Sequence, residues 1–164
     1  MITEITEAGA AHEAVDAQAY CRTIIRRAAK TFYWGSLFLP RPKRMAAWTL
    51  YAFCRCVDDC VDEQTDVAQA EADLNKWRDW LLSAYKGVAS DPVTTAWVEM
   101  LTRYDVPLQP ALDLIEGARM DLHPTQPMSF DELHLYCYRV AGTVGLLMAP
   151  VLGYSARMAL PCAV

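Results

Sequence analysis

Pro40 to Glu63 reads PRPKRMAAWTLYAFCRCVDDCVDE, and the fold turns on how this stretch is read. Pro40 and Pro42 punctuate the entry, and Lys43 to Asp62 holds no further Pro or Gly, so one long helix is predicted. Trp48, Tyr51, Arg55, Asp58 and Asp62 recur three or four apart and form a stripe along it. Asp58 and Asp62 stand one turn apart, with Cβ atoms roughly 6 Å from each other. Like charges that close repel, and the last turns of a helix are where the macrodipole disfavours anions. Val57, Cys60 and Val61 are interleaved with them, so part of this turn is expected to be buried, and burying unpaired charge is costly. A cation offsets all three penalties. Magnesium suits oxygen donors and bridges one or two carboxylates to substrate phosphates while keeping waters. The stripe reads as a Mg²⁺–diphosphate site on one helix face. The alternative reading is a solvated acidic helix end, with Arg55 paired to Asp58 or Asp59.

The 164 residues leave room for one domain with a real core, and 54% of them are hydrophobic. A net charge of −5 argues against a nucleic-acid partner. An anionic substrate would have to be met locally, by arginines or a metal. Met1 to Ala11 is acidic and lacks an apolar core, so no secretory signal is expected and these residues are expected to be flexible. No apolar run reaches the roughly 20 residues of a membrane span. The longest, Val140 to Gly153, is interrupted by Gly142, Gly145 and Pro150. The expectation is a cytoplasmic protein, soluble or peripheral to a membrane. Six cysteines are present. Cys56 and Cys60 are spaced to share a metal, but no nearby His or Cys completes a zinc set, so reduced, mostly buried thiols are expected.

A first helix is predicted over His12 to Thr31, then an aromatic link from Phe32 to Leu39 with Gly35 and Ser36 as its turn. Beyond the organising helix, Thr65 or Asp66 can cap a helix ending near Gly87. Asp91-Pro92 opens another through Tyr104. Leu108 to Asp121 comes after Pro107. Ser129 and Glu132 form a capping-box signature for a helix from Phe130 to Met148. No period-2 strand is convincing, so the fold is all-α. Gly142 and Gly145 inside the last helix allow close approach of another helix or of a ligand. Tyr136 is either a proton donor or relay near an inner face or a core residue with its hydroxyl at the rim.

Taken together, these segments resemble the squalene and phytoene synthase family. The match begins at Lys30-Thr31-Phe32-Tyr33 and runs through Leu50 to Arg55 into Asp58-Asp59-Cys60-Val61-Asp62, which is similar to the family's first D-x-x-x-D motif. IEGARMDL (Ile115 to Leu122) and YCYRVAGTVG (Tyr136 to Gly145) resemble phytoene synthase stretches, and the likeness spans roughly residues 20 to 154. The resemblance implies a single isoprenoid-synthase-type helical bundle over residues 12–164, joining two prenyl diphosphates head to head. It implies that Asp58 and Asp62 hold Mg²⁺ (Mn²⁺ as the alternative ion) and the diphosphate. Arg55 would contact the diphosphate. Tyr51, Phe32, Val140 and Gly145 would line the substrate, and Tyr136 would sit by the reacting carbons. The phytoene branch fits best, so geranylgeranyl diphosphate is the expected substrate and no NADPH is implied.

One departure concerns the family's second aspartate-rich motif, which does not occur before Val164. Asp113, Asp121 and Asp131 are not spaced to replace it. The bundle therefore reads as an N-terminal part. A complementing C-terminal half or an oligomer is expected as partner, with a peripheral membrane contact as a further one. Trp97, Met100, Leu101, Leu112, Leu114, Ile115, Val140, Val144, Leu147 and Met148 are expected to form an apolar wall open to water. The alternative functions are a squalene or dehydrosqualene synthase, or a non-catalytic helical module binding prenyl diphosphate or a partner chain.

Overall fold

The computed structural model describes residues 16–123 and 129–154. All regular structure among them is helical: α1 (Ala17–Ala28), α2 (Lys30–Ser36), α3 (Arg41–Asp62), α4 (Val67–Ala84), α5 (Pro92–Leu101), α6 (Leu108–Asp121), α7 (Phe130–Cys137), a π-helical turn (Tyr138–Gly142) and α8 (Thr143–Leu152). The all-α expectation holds. Helix α3 is the hub, packing against α1, α2, α4, α5, α6 and α8. Its buried face is Ala46, Ala47, Leu50, Ala52, Phe53 and Val57, the 3.6-residue periodicity of a core helix. Phe53 meets Trp97 of α5 and Trp77 of α4 at ring-centroid distances of 4.7 and 6.0 Å.

The ends of the elements obey their local chemistry. Asp16 Oδ1 accepts from the Gln18 and Ala19 amides and starts α1. Asp66 caps α4, and Asp91 with Thr94 forms a capping box on α5. Ser129 and Glu132 form the second box, at α7, as the spacing predicts. The carbonyl of Leu152 at the end of α8 accepts from Lys43 Nζ at 2.8 Å, which ties that terminus back to the start of α3.

Three expectations need correcting. The first helix breaks at Ala29, where φ is −138°, and the aromatic link is itself a helix, α2. It forms because Tyr33 and Ser36 are pinned: Tyr33 stacks on Trp48 at 5.8 Å, and Trp48 Nε1 donates to Ser36 Oγ at 2.8 Å. The predicted start of α1 at His12 lies outside the described residues. The last helix is not uniform. It runs unbroken from Phe130 to Leu152 but passes through the π-turn, and that whole length is apolar enough to cross a membrane by composition. Leu146, Leu147, Ala149 and Val151 of α8 are nonetheless buried, and α8 packs on α3 and α6. The predicted apolar wall is largely covered as well. Trp97, Met100, Leu114, Ile115 and Leu147 are buried, while Leu101, Leu112, Val140, Val144 and Met148 are half-buried. The exposed apolar side chains are others, chiefly Trp34, Phe38 and Phe130.

The close approach of helices falls at Gly117 on α6. A Cβ there would lie 2.9 Å from Arg139 Cβ and 3.1 Å from Val140 Cγ1. Gly145 has open space where a Cβ would go. Gly117→Ala is expected to lower the urea midpoint, because about 1–3 kcal/mol of overpacking outweighs a helix-propensity gain of up to about 1 kcal/mol. Gly145→Ala is expected to leave the midpoint equal or higher. A Gly117→Ala variant as stable as the parent would show that α6 and the π-turn can separate freely.

Candidate active site

Helix α3 brings Asp58 and Asp62 to its C-terminal turns, and no basic residue occupies its last turn to offset them. Both open on a cavity of about 220 Å³. Val61 joins them from α3, Leu114, Ala118 and Asp121 come from α6, Tyr136 from α7 and Val140 from the π-turn. Four residues singled out in the sequence, Asp58, Asp62, Tyr136 and Val140, thus share one concavity. No basic side chain lines it. A larger cavity, about 440 Å³, lies at the opposite end of α3 beside Gln18, Arg41 and Arg103 and has no acidic pair.

The electrostatics match the crowding. Burial pushes the Asp58 carboxyl above its usual range, Asp62 pushes it further, and Asp59 and Asp121 add to the rise while Arg55 opposes it. Asp58 is exposed by area because it opens on the cavity, but the walls around it still strip much of its hydration. The Tyr136 phenol is also raised, first by hydrogen bonding to Asp121 and then by burial. Asp121 is the residue that spacing does not reveal. It has no aspartate one turn away, and only the packing of α6 on α3 sets it across from Asp58.

The other predicted residues sit along the rest of α3 and its neighbours. Arg55 pairs with Asp59 one turn on, both side chains about a third exposed, and does not line the cavity. Part of the acidic-helix-end reading is therefore realised. Phe32 of α2 stacks on Tyr51 of α3, 5.8 Å between centroids at 28°, forming an aromatic face on the Arg55 stripe. Trp48, at the head of the stripe, is buried under Tyr33 with the Arg44 guanidinium over its ring, and belongs to the core. Gly145 faces open space on α8, away from the cavity lining.

The donors at the cavity are hard oxygens. Among the described residues no group of three His, Cys, Asp or Glu converges to hold an ion. An ion there would rest on two carboxylates with water or substrate oxygens completing its shell, an arrangement that suits Mg²⁺ or Mn²⁺. Three cysteines of α1 and α3 do not compete: burial pushes the Cys21, Cys54 and Cys56 thiols up to about 12, so they stay protonated.

An α-helical bundle with paired aspartates at the end of its central helix, facing a cleft between helices, is of the isoprenoid-synthase type. Its shape is shared with a dehydrosqualene synthase crystal structure, at a TM-score of 0.76 and 34% identity over 82% of this chain and 47% of that one. Squalene synthase HpnC from Alicyclobacillus acidocaldarius matches at 0.79 and 31%, over 87% of this chain and 55% of that one. The Squalene/phytoene synthase family model matches residues 25–164, and the chain belongs to that family. It is 44% identical to the 15-cis-phytoene synthase of Synechococcus elongatus over 84% of its own length and 45% of the relative's. It is 39% identical to the chloroplastic phytoene synthase of Narcissus pseudonarcissus over 84% of its length and 33% of that protein's. The chain spans less than half the length of these relatives.

The rise in the Asp58 pKa sets the direction of its pH dependence. A carboxyl whose folded-state pKa lies above its ordinary value of 3.8 stabilises the fold below that pH, and the contribution is lost as pH rises through the raised value. Asp58→Asn is therefore expected to raise the unfolding temperature of the metal-free chain at pH 7, with the gain shrinking as pH falls toward 4. Mg²⁺ is expected to raise the midpoint of the parent more than that of the variant. A variant no more stable than the parent at pH 7 would mean that the Asp58–Asp62 repulsion is already relieved.

Proposed function

We propose that this chain carries the first aspartate-rich part of a phytoene synthase-like active site, condensing two geranylgeranyl diphosphates head to head into phytoene. The observation that carries the reading is the single cavity on which Asp58, Asp62 and Tyr136 meet from helices far apart in sequence. The names of the curated relatives support the phytoene branch over the squalene and dehydrosqualene alternatives.

In this reading Asp58 and Asp62 hold a divalent cation against the diphosphate. When bound, Mg²⁺ supplies neutralisation of the leaving group's charge. Arg55 leaves its exposed pairing with Asp59, which is worth about 1 kcal/mol or less, and takes a diphosphate oxygen. Phe32 and Tyr51 present ring faces to the allylic cation formed as the first diphosphate departs. The second substrate's double bond attacks to give a cyclopropyl diphosphate, which ionises, rearranges and loses a proton. Val140 lines the prenyl chains, and Tyr136 stands at the reacting carbons. No reductant is required, because the last step is proton loss rather than hydride addition. Contact with a membrane surface delivers the apolar substrate.

The test is product formation from geranylgeranyl diphosphate and Mg²⁺, by the chain alone and with the C-terminal half of a phytoene synthase added. Phytoene is expected in the complemented mixture. Asp58→Asn and Asp62→Asn are expected to abolish it together with Mg²⁺-dependent binding of a diphosphate analogue. Tyr136→Phe is expected to cut kcat at least about tenfold, or ~1.4 kcal/mol of barrier, with KM little changed. Unaltered analogue affinity in both aspartate variants would overturn the assignment.

A further inference from the structure

Helix α6 presents Asp113, Gly117 and Asp121 at four-residue intervals, one stripe on one face. The middle member lets the chain of the π-turn come into backbone contact: a Cβ at Gly117 would meet Arg139 and Val140 within 3.1 Å. On one side of this contact an aspartate bonds a tyrosine, and on the other an aspartate and a tyrosine line one cavity. Asp113 Oδ2 accepts from the Tyr138 hydroxyl at 3.1 Å. Asp121 faces Tyr136 across the acidic cavity. A π-turn inserts an extra residue into the helical ladder and rotates the residues beyond it, and such turns concentrate at functional sites. Tyr136 precedes that turn, Val140 lies within it four residues on, and both line the same cavity.

We infer that Asp121 is a positioning residue for Tyr136: its carboxylate accepts the phenol proton's hydrogen bond and turns the lone pairs of the hydroxyl oxygen toward the cavity. A phenol has one proton to donate. Once that proton points at Asp121, Tyr136 faces the cleft as an acceptor, the polarity that suits a neighbouring cationic carbon. The Tyr136 phenol is raised by the neighbouring Asp121 carboxylate and by burial. The inference rests on the reading of this cavity as the reaction site, but the pairing itself lies within the protein and is tested without ligand.

The experiment is ¹³C NMR of the full chain labelled at tyrosine Cζ, at neutral pH and without metal. Tyr136→Phe identifies the Tyr136 signal by its loss. Asp121→Asn and Asp121→Ala are expected to move that signal, Asp121→Glu to restore most of its position, and Asp113→Asn to move the Tyr138 signal instead. A Tyr136 signal unmoved by both Asp121 variants, or moved as much by Asp113→Asn, would overturn the inference, as would collapse of all tyrosine signals together. Adding Mg²⁺ and inorganic diphosphate separates the two claims. Failure of any protein to bind them counts against the reading of the site, while the metal-free shifts still decide the pairing.

Discussion

Two carboxylates one turn apart, at the negative end of a 22-residue helix and with no basic residue in its last turn, set the terms for the rest of this molecule. Helix α3 cannot shed them into solvent by fraying, because Val57 and Cys60 on the same turns are buried. The bundle instead leaves a cavity in front of them, and α6, α7 and the π-turn are the walls of that cavity. The cost of holding the pair falls on the folded state without ligand. Anything that neutralises the pair is thereby linked to stability, because binding only the folded form shifts the unfolding equilibrium by mass action.

The walls are held by contacts of a different kind. Arg119 of α6 pairs with Glu71 of α4 and donates to Asn75 at 3.0 Å, which anchors α6 on its outer side. On the inner side the helix has a glycine against the π-turn, so its distance from that turn is set by backbone contact and not by adjustable side chains. Asp121 of the same helix and Tyr136, which precedes the turn, line the cavity beside this contact.

How much of this is legible in the sequence depends on the range of the signal. The cap at Asp91, the capping box at Ser129, the amphipathic face of α3 and the aspartate pair are local patterns, and all appear in the structure. Helix α2 is hidden because KTFYWGS has a glycine, no apolar periodicity and only seven residues. It is held by the Trp48–Ser36 and Tyr33–Trp48 contacts, which lie across a turn in sequence. Among the glycines, Gly142 and Gly145 stand out by their place inside a long apolar helix, and Gly117 does not. What makes Gly117 necessary is a neighbour some twenty residues on. Asp121 is silent in the sequence because no partner aspartate stands one turn away. It shares its cavity with Asp58 and Tyr136, a proximity set only by tertiary packing.

Arg55 shows how the two readings of the acidic helix end are reconciled. Its pair with Asp59 satisfies the alternative in which this turn is simply a charged surface. The pair is partly exposed, however, and such pairs contribute little, so it holds Arg55 on the stripe without committing it. Asp59 also lies on the side of α3 away from the cavity lining, while Asp58 and Asp62 face a cavity that no basic side chain lines. An anion arriving with its own divalent ion would meet two uncompensated carboxylates and an arginine that can leave its partner at small cost. Without ligand the turn is a partly solvated acidic end, and under the proposed function the same side chains would receive the diphosphate.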